Sequence, residues 1–420
     1  MFEVRPLKDL NAAVRIPGSK SYTQRAMVIA SLAEGESRLT DVLLSEDTEL
    51  LGRALEALGA AIRTTGTDMT VRGTGGKLVR PAQEIHLGNN GTAMRLLTGV
   101  ASLGAGPTVL TGDPRLRERP LKPLLDALAA LGAENDTEEG RGFPPVTIRG
   151  GSLQGAEVRL RDIESSQYVS ALLIVSPFAA GKTTLVLEGR IPSLPYIALT
   201  VETMGAFGVK VGLDGPGRYV IEGGQSYRGR AYRIEGDVSS ASYFFLAAAL
   251  LKGRVRMENI NPRTEQGDIG FLTLLERLGC RVIRGEHSVE ITGGEMPEGE
   301  MTFDLSAMPD MVPTLAVLAA LRPGRSLIRN VAHLRIKESD RLAAMVNELR
   351  KTGIAAEELP DGIAVTGGKP RGATIATYND HRIAMSFAIL GLAVPGMKIE
   401  GEGCVGKSFP GFWRALEGLS

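Results

Sequence analysis

The sequence predicts an α/β protein of two similar lobes, each built from three repeated units. Three observations lead there. The 420 residues are two to three domains' worth of chain. A small apolar helix, then a glycine, then a strand recurs at one interval. A second, amphipathic helix recurs in phase with it.

The first landmark reads ASLAEGESRL from Ala30, ASLGAGPTVL from Ala101, SPFAAGKTTL from Ser176, AALLKGRVRM from Ala248, AALRPGRSLI from Ala319 and GLAVPGMKI from Gly391. Its glycines, Gly35, Gly106, Gly181, Gly253, Gly324 and Gly396, are spaced 71 to 75 residues apart. The second reads LEALGAAI from Leu55, LAALGAEN from Leu128, MGAFGVKV from Met204, LERLGCRV from Leu275 and LRKTGIAA from Leu349, and a truncated copy, ALEGLS, closes the chain. Chance likeness among Ala/Leu/Gly-rich helices would not keep two landmarks in step.

Each element follows from this pattern. The first helix of a unit is apolar around most of its circumference, as in Tyr243–Leu251 or Ala316–Leu321, so it is expected to be buried. Its glycine suits a left-handed C-cap. A β-branched strand follows, such as Thr183–Leu187 or Arg325–Ile328. The second helix carries Leu50, Leu51, Ala54, Leu55 and Leu58 on one face in its first copy. It ends at the Leu-Gly step, and a short strand, a loop and a strand complete the unit. One such unit is marginal alone. Six units imply lobes over residues 19–235 and over 1–18 plus 236–420, joined by two chain crossings with a cleft between them.

Composition narrows the function. Acidic and basic side chains balance at 48 each, which excludes a polyanion-coating protein and a nucleic-acid partner of that kind. Hydrophobic residues are 43% and charged ones 23%, an ordered globular mixture. Aromatics are only 5%, so the core is aliphatic. Cys280 and Cys404 make no disulfide framework and suit a reducing compartment. The start, MFEVRPLKDL, has no apolar signal core, and apolar runs fall short of the roughly 20 residues that span a bilayer. A soluble cytoplasmic protein, free of any membrane, is expected.

The starts of the buried helices read Gly18-Ser19-Lys20-Ser21, Asn89-Asn90-Gly91-Thr92, Ser165-Ser166-Gln167, Asp237-Val238-Ser239-Ser240, Met308-Pro309-Asp310 and Asn379-Asp380-His381-Arg382. Capping explains the Ser, Asp and Asn residues. It does not explain Lys20, Arg25 or Arg382, since a cation there faces the positive end of the helix dipole. An anion between cation and helix start would reconcile them. The segments before the amphipathic helices are turn-rich and basic, and they hold Arg115, Arg117 and Arg119; Ser193 and Tyr196; Arg263; Arg335, Lys337, Glu338 and Arg341; and Lys407. Local positive charge on a neutral protein points to a small anionic ligand. Asp310 and Glu338 are the carboxyls that such cations could tune for acid–base work, or else a cap and an ion-pair member.

Two motifs mislead. Gly401-Glu402-Gly403-Cys404-Val405-Gly406 matches a dinucleotide fingerprint but has too little chain after it for a βαβ unit. Gly181-Lys182-Thr183-Thr184 resembles the tail of a phosphate loop but runs from helix to strand. His86, His287, His333 and His381 lack metal-ligand spacing, so no metal is expected.

PGSKSYTQRA from Pro17, LGNNGTAMRLL from Leu87, RERP from Arg117, ESSQYVSALL from Glu164, GDVSSASYF from Gly236, LRIKESDRL from Leu334, NDHRIAMS from Asn379 and GKSFPGF from Gly406 together resemble the enolpyruvyl transferases. Among these they resemble the 5-enolpyruvylshikimate-3-phosphate synthases, the 3-phosphoshikimate 1-carboxyvinyltransferases, over nearly the whole chain. The resemblance implies a fold of two lobes, each of three βαβαββ units, closing on substrate by induced fit. It implies a transferase of the shikimate pathway, in aromatic amino acid biosynthesis. Phosphoenolpyruvate would give its carboxyvinyl group to the 5-hydroxyl of shikimate 3-phosphate by addition–elimination through a tetrahedral intermediate, with no cofactor. It also suggests a monomer.

Carried over by position, Ser21 and Arg25 would meet the shikimate carboxylate. Ser165, Ser166, Ser193 and Lys337 would surround the 3-phosphate, and Gln167 would lie against the ring, within reach of both substrates. Lys20, Gly91, Arg119, Arg341, Arg382 and Lys407 match the phosphoenolpyruvate clamp, with Lys20 also near the acceptor. Asp310 would take the 5-hydroxyl proton, and Glu338 or Lys20 would protonate the methylene carbon. Asn90, Leu96, Leu194 and His333 depart from the commoner pattern, though none removes a charged clamp residue. The sister enzymes that act on UDP-N-acetylglucosamine are the nearest rival. Many of them carry a loop cysteine in the region matching TGDPRLRERP, and this chain has none there. A non-catalytic scaffold with an anion-binding cleft is the rival of another class, and it would not need Asp310 and Glu338.

Overall fold

The computed structural model describes residues 1–419. The chain divides into two compact units, Lys20–Ile234 and Met1–Ser19 joined with the chain from Glu235 onward. The described residues form six sheets, three in each unit.

One local rule builds the sheets. A strand runs into a buried helix, and the strand after that helix pairs parallel with it. Ile85–His86 and Thr108–Thr111 flank the helix Gly91–Ala101 in this way, and Glu157–Arg161 and Thr183–Glu188 flank Ser166–Val175. Two antiparallel strands complete each four-stranded sheet. The rule changes partner at the two places where the chain passes from unit to unit. Asn11–Val14, which precedes the helix Lys20–Leu32, pairs parallel with Arg254–Met257. Ala231–Arg233, which precedes the helix Val238–Leu251, pairs parallel with Glu36–Thr40. The last sheet has three strands, where Phe2–Glu3 lies antiparallel to Lys398–Glu400 beside Thr374–Ala376. The start of the chain thus completes the truncated last repeat.

Each core gathers around three buried helices. In the first unit these are Lys20–Leu32, Gly91–Ala101 and Ser166–Val175, and in the second Val238–Leu251, Val312–Leu321 and His381–Ala393. Every residue from Val238 to Ala249 is buried. Each large apolar side chain so enclosed contributes about 1.5–3 kcal/mol, and small residues let the backbones close in. A Cβ added at Gly99 would lie 3.0 Å from the Ala171 carbonyl oxygen of the neighbouring helix.

The left-handed caps sit on the other helix of the repeat from the one expected. The amphipathic helices Glu46–Ala57, Lys122–Ala130, Pro195–Ala206, Phe271–Arg277 and Arg341–Lys351 all end in the same motif. In the first, Gly59 has φ 107°, its N–H donates to Glu56, and the Ala60 N–H donates to Leu55. Gly132, Gly208, Gly279 and Gly353 repeat this with φ between 86° and 96°, a Schellman ending that a Cβ would strain by about 1–2 kcal/mol. The glycines after the buried helices do different work. Gly35, Gly324 and Gly396 are left-handed in the turn entering the next strand, whereas the left-handed residue after Val238–Leu251 is Lys252. Gly253 is needed for closeness instead, since a Cβ there would lie 2.6 Å from the Leu10 carbonyl oxygen.

Candidate active site

In the unit Lys20–Ile234 Arg25 is the most enclosed of the expected cations. Lys20 opens the first buried helix, and its Nζ lies 3.1 Å from Asp47 Oδ2. Arg25, one turn on, is 1% exposed. Its Nε donates to Thr200 Oγ1 at 2.7 Å, its Nη2 to Ser170 Oγ at 3.2 Å and its Nη1 to the Ser21 carbonyl at 3.1 Å. The guanidinium also lies over the Tyr196 ring, 5.8 Å from its centre. All these hydrogen-bond partners are neutral, so burial prevails and lowers the Arg25 pKa to about 10.

The Ser170 hydroxyl that Arg25 meets lies on the helix that begins at two of the expected serines. Ser166 lies one turn before Ser170 on its helix, and Ser165 caps that helix by accepting from the Gln167 N–H. Ser193 stands in left-handed backbone, φ 58°, three residues before Tyr196. Gln167 Nε2 donates to Thr92 Oγ1 at 2.9 Å, which ties this helix start to that of Gly91–Ala101.

Gly91 and Arg119 are in direct contact. A Cβ built on Gly91 would lie 2.4–2.5 Å from the guanidinium atoms of Arg119. No side chain larger than hydrogen leaves that guanidinium where it is. Arg95, which the sequence reading passed over, braces the pair: Nη1 donates to the Gly91 carbonyl at 2.9 Å and Nη2 to Pro120 at 3.3 Å. Asn90 caps the helix by accepting from Ala93 and donates to the Asp47 carbonyl at 2.9 Å. The unusual Asn therefore links two helix starts and the residue that holds Lys20.

In the other unit the charges are concentrated on Arg341, which is 1% exposed. It donates through Nη1 to Asp310 Oδ1 at 2.9 Å, through Nη2 to Glu338 Oε2 at 2.8 Å and through Nε to Asp380 Oδ2 at 2.7 Å. Arg382 Nη2 donates to the other oxygen of Asp310 at 2.7 Å. Asp380 also caps the helix His381–Ala393 by accepting from the Arg382 N–H at 3.0 Å, and it accepts from Ser339 Oγ. Asp310 stands not in the helix but in a 3-10 turn, Pro309–Met311, just before Val312–Leu321. Lys337 lies near enough to act on its charge. Lys407 is buried in the segment Glu402–Lys407, which packs on the helix bearing Arg382. His333 lies in the turn Ala332–Ile336, half-buried.

These neighbours set the proton affinities. Burial alone would raise the Asp310 carboxyl, but Arg382, then Arg341 and Lys337, outweigh it and hold the pKa at about 2. Its side chain still keeps 21% exposure, so a ligand can reach it. Burial would lower Arg341, but Asp380, Glu338 and Asp310 raise it instead. Asp268 behaves in the opposite way. It is 1% exposed and accepts from the Ser239 hydroxyl, and burial followed by the Asp310 charge pushes its pKa up to about 7.

Asp47, Asp380 and Asp268 were not singled out from sequence as members of the site. Asp380 and Asp47 do stand at helix starts, which was the available signal. Among the described residues no group of three or more His, Cys, Asp or Glu could hold a metal ion, and no helix is long and apolar enough to cross a membrane.

Two cation groups built at helix starts, each with carboxylates among its partners, fit an enzyme for small anions. Known proteins say which. The model of the family described as EPSP synthase (3-phosphoshikimate 1-carboxyvinyltransferase) matches residues 4–416. The chain belongs to the EPSP synthase family. Curated 3-phosphoshikimate 1-carboxyvinyltransferases agree: that of Syntrophobacter fumaroxidans is 42% identical over 99% of each chain. That of Methanoculleus marisnigri is 42% identical over 97% of each. The solved EPSP synthase of Acinetobacter baumannii superposes with a TM-score of 0.82 at 29% identity, covering 100% of this chain and 98% of its own. Every side chain described above falls within the span that the family model matches.

Proposed function

We infer that the two side-chain groups serve the reaction of the EPSP synthase family. In that reaction the 5-hydroxyl oxygen of shikimate 3-phosphate bonds to C2 of phosphoenolpyruvate while a proton adds to its C3. The tetrahedral adduct then returns a proton from C3, and the bond from C2 to the phosphate oxygen breaks. The products are 5-enolpyruvylshikimate 3-phosphate and inorganic phosphate.

Arg25 and Ser21 take the acceptor's carboxylate, the buried guanidinium having its neutral partners already in place. Ser165, Ser166, Ser193 and Lys337 take the 3-phosphate, and Gln167 lies beside the ring. Lys20, Arg119, Arg341, Arg382 and Lys407 hold phosphoenolpyruvate. The bare face of Gly91 keeps Arg119 in its place among them. Forked guanidiniums suit a carboxylate.

The double hold on Asp310 carries this reading. Both of its oxygens are occupied by guanidiniums, which keep it a weak base. A phosphoenolpyruvate carboxylate arriving at Arg341 and Arg382 competes for those same bonds. As it wins them, the proton affinity of Asp310 rises. Donor binding therefore prepares the group that accepts the 5-hydroxyl proton. Glu338, on the third branch of Arg341, or Lys20 delivers the proton to C3 and takes it back. Fixed charges in a site closed to water supply much of the rate. A monomer is what the family resemblance suggests, and the free Cys280 and Cys404 fit a cytoplasmic setting.

Phosphate release measures the function directly. The chain is incubated with phosphoenolpyruvate and either shikimate 3-phosphate or UDP-N-acetylglucosamine. Release with shikimate 3-phosphate alone is expected. Release with the nucleotide sugar alone would hand the chain to the sister reaction, and silence with both would leave an anion-binding scaffold.

A further inference from the structure

Glu348 is a wholly buried carboxylate that the reaction does not use. It lies on the helix Arg341–Lys351, seven residues after Arg341 and so two turns along on the same face. Its Oε1 accepts from the Tyr378 hydroxyl at 2.8 Å. Its Oε2 accepts from the Ala376 N–H at 3.1 Å and from Lys351 Nζ at 2.8 Å.

The segment it grips is unusual. The strand Thr374–Ala376 ends, and Tyr378 and Asn379 both take left-handed backbone, each at φ 54°. Asparagine tolerates that region, but a bulky tyrosine rarely visits it. Tyr378 is 43% exposed, so packing of its ring does little to keep it there, while its hydroxyl turns inward to Glu348. The turn closes with the Asp380 N–H donating to Thr377 at 2.8 Å. Asp380 is the next residue, and it holds Arg341 and caps the helix start bearing Arg382.

The helix of Arg341 therefore meets this segment twice, once at Arg341–Asp380 and again two turns later at Glu348 with Ala376 and Tyr378. A single contact would let Asp380 swing with the turn. Two contacts fix its position along the helix.

We propose that Glu348 and Tyr378 are positioning residues for the phosphoenolpyruvate clamp: by holding the left-handed turn 377–379 they set Asp380, and through it Arg341 and Arg382. The proposal rests on the reading of those two arginines as donor-binding groups.

Tyr378→Phe removes the hydroxyl that reaches Glu348 and keeps the ring. The loss of one hydrogen bond to a buried charge should raise KM for phosphoenolpyruvate about tenfold. KM for shikimate 3-phosphate should stay within about twofold, with the melting temperature lowered by about 3–6 °C. Glu348→Gln should shift the same constant in the same direction and further. In an Asp380→Asn background, Tyr378→Phe should add almost nothing, because its path to the arginines is already cut. Hydrogen exchange of the peptide over 376–386 gives a readout free of turnover, and it should quicken in Tyr378→Phe. The proposal is overturned if both KM values move together, if neither moves, or if exchange there is unchanged. Wild-type enzyme inactive with phosphoenolpyruvate would instead sink the parent reading, and the exchange result would still decide whether Glu348 and Tyr378 hold the turn.

Discussion

Arg25 and Arg341 are both about 1% exposed, yet their surroundings are opposite in kind. Arg25 is held by hydroxyls, carbonyls and a tyrosine ring, with burial lowering its pKa. Arg341 is held by three carboxylates that raise it. A cation among neutral dipoles keeps its full charge for an incoming anion and needs no partner displaced. A cation among carboxylates must exchange partners to bind, and each exchange alters the proton affinity of the carboxyl it leaves. The first arrangement suits recognition of a group that does not react. The second couples binding to acid–base chemistry.

The sharpest way to break this contrast is to remove each cation in turn. Arg341→Met leaves Asp310, Glu338 and Asp380 together without their shared counter-charge. Breaking a buried pair in this way costs about 3–5 kcal/mol, a drop of about 10 °C in melting temperature for a unit of this size. Turnover should fall by more than about a thousandfold. Differential scanning fluorimetry and phosphate release measure the two effects. A melting temperature within about 2 °C of wild type would mean that the three carboxylates are not bearing on Arg341.

Arg25→Met should separate the two quantities. Its neighbours can satisfy one another, since Ser170 Oγ and Thr200 Oγ1 are already 2.8 Å apart and Thr200 donates to the Tyr196 carbonyl. An apolar side chain of similar length in place of a buried charge is often neutral for stability. The melting temperature should stay close to wild type. KM for shikimate 3-phosphate should rise about a hundredfold as charge-assisted bonds to its carboxylate are lost. A large loss of stability, or an unchanged KM, would erase the distinction between the two arginines.

The reach of sequence follows the same division. The repeat was readable because helix ends and strand entries are local, and glycines mark them every seventy-odd residues. Even there the left-handed cap belongs to the amphipathic helix, because the Leu-Gly step ends a helix while the other glycine only turns the chain into a strand. The charged candidate residues were readable as motifs. Their partners were not: Asp47 lies 27 residues from Lys20 and Asp380 lies 39 from Arg341, and no local period connects them. Tyr378 carries no sign of its left-handed backbone, since the turn is held by a carboxylate thirty residues away. Asp268 reads as one more polar residue in a turn-rich loop, and only packing shows it to be enclosed.

Asp268 and Asp310 provide the finest test, because one neighbourhood pushes their proton affinities apart. Asp310 is depressed to about 2, so the stability it contributes is complete above its ordinary value of 3.8 and is lost as pH falls toward 2. Asp268 is raised to about 7, first by burial and then by Asp310. Between 3.8 and about 7 the folded chain keeps a proton on Asp268 that the unfolded chain has released. The contribution of Asp268 to stability therefore declines as pH rises through that window. Asp268→Asn keeps an oxygen for the Ser239 hydroxyl but cannot titrate. Urea denaturation midpoints across the window should decline less steeply in the variant than in wild type. Parallel curves would show that Asp268 does not hold its proton there, and the opposition between the two carboxyls would lose its physical basis.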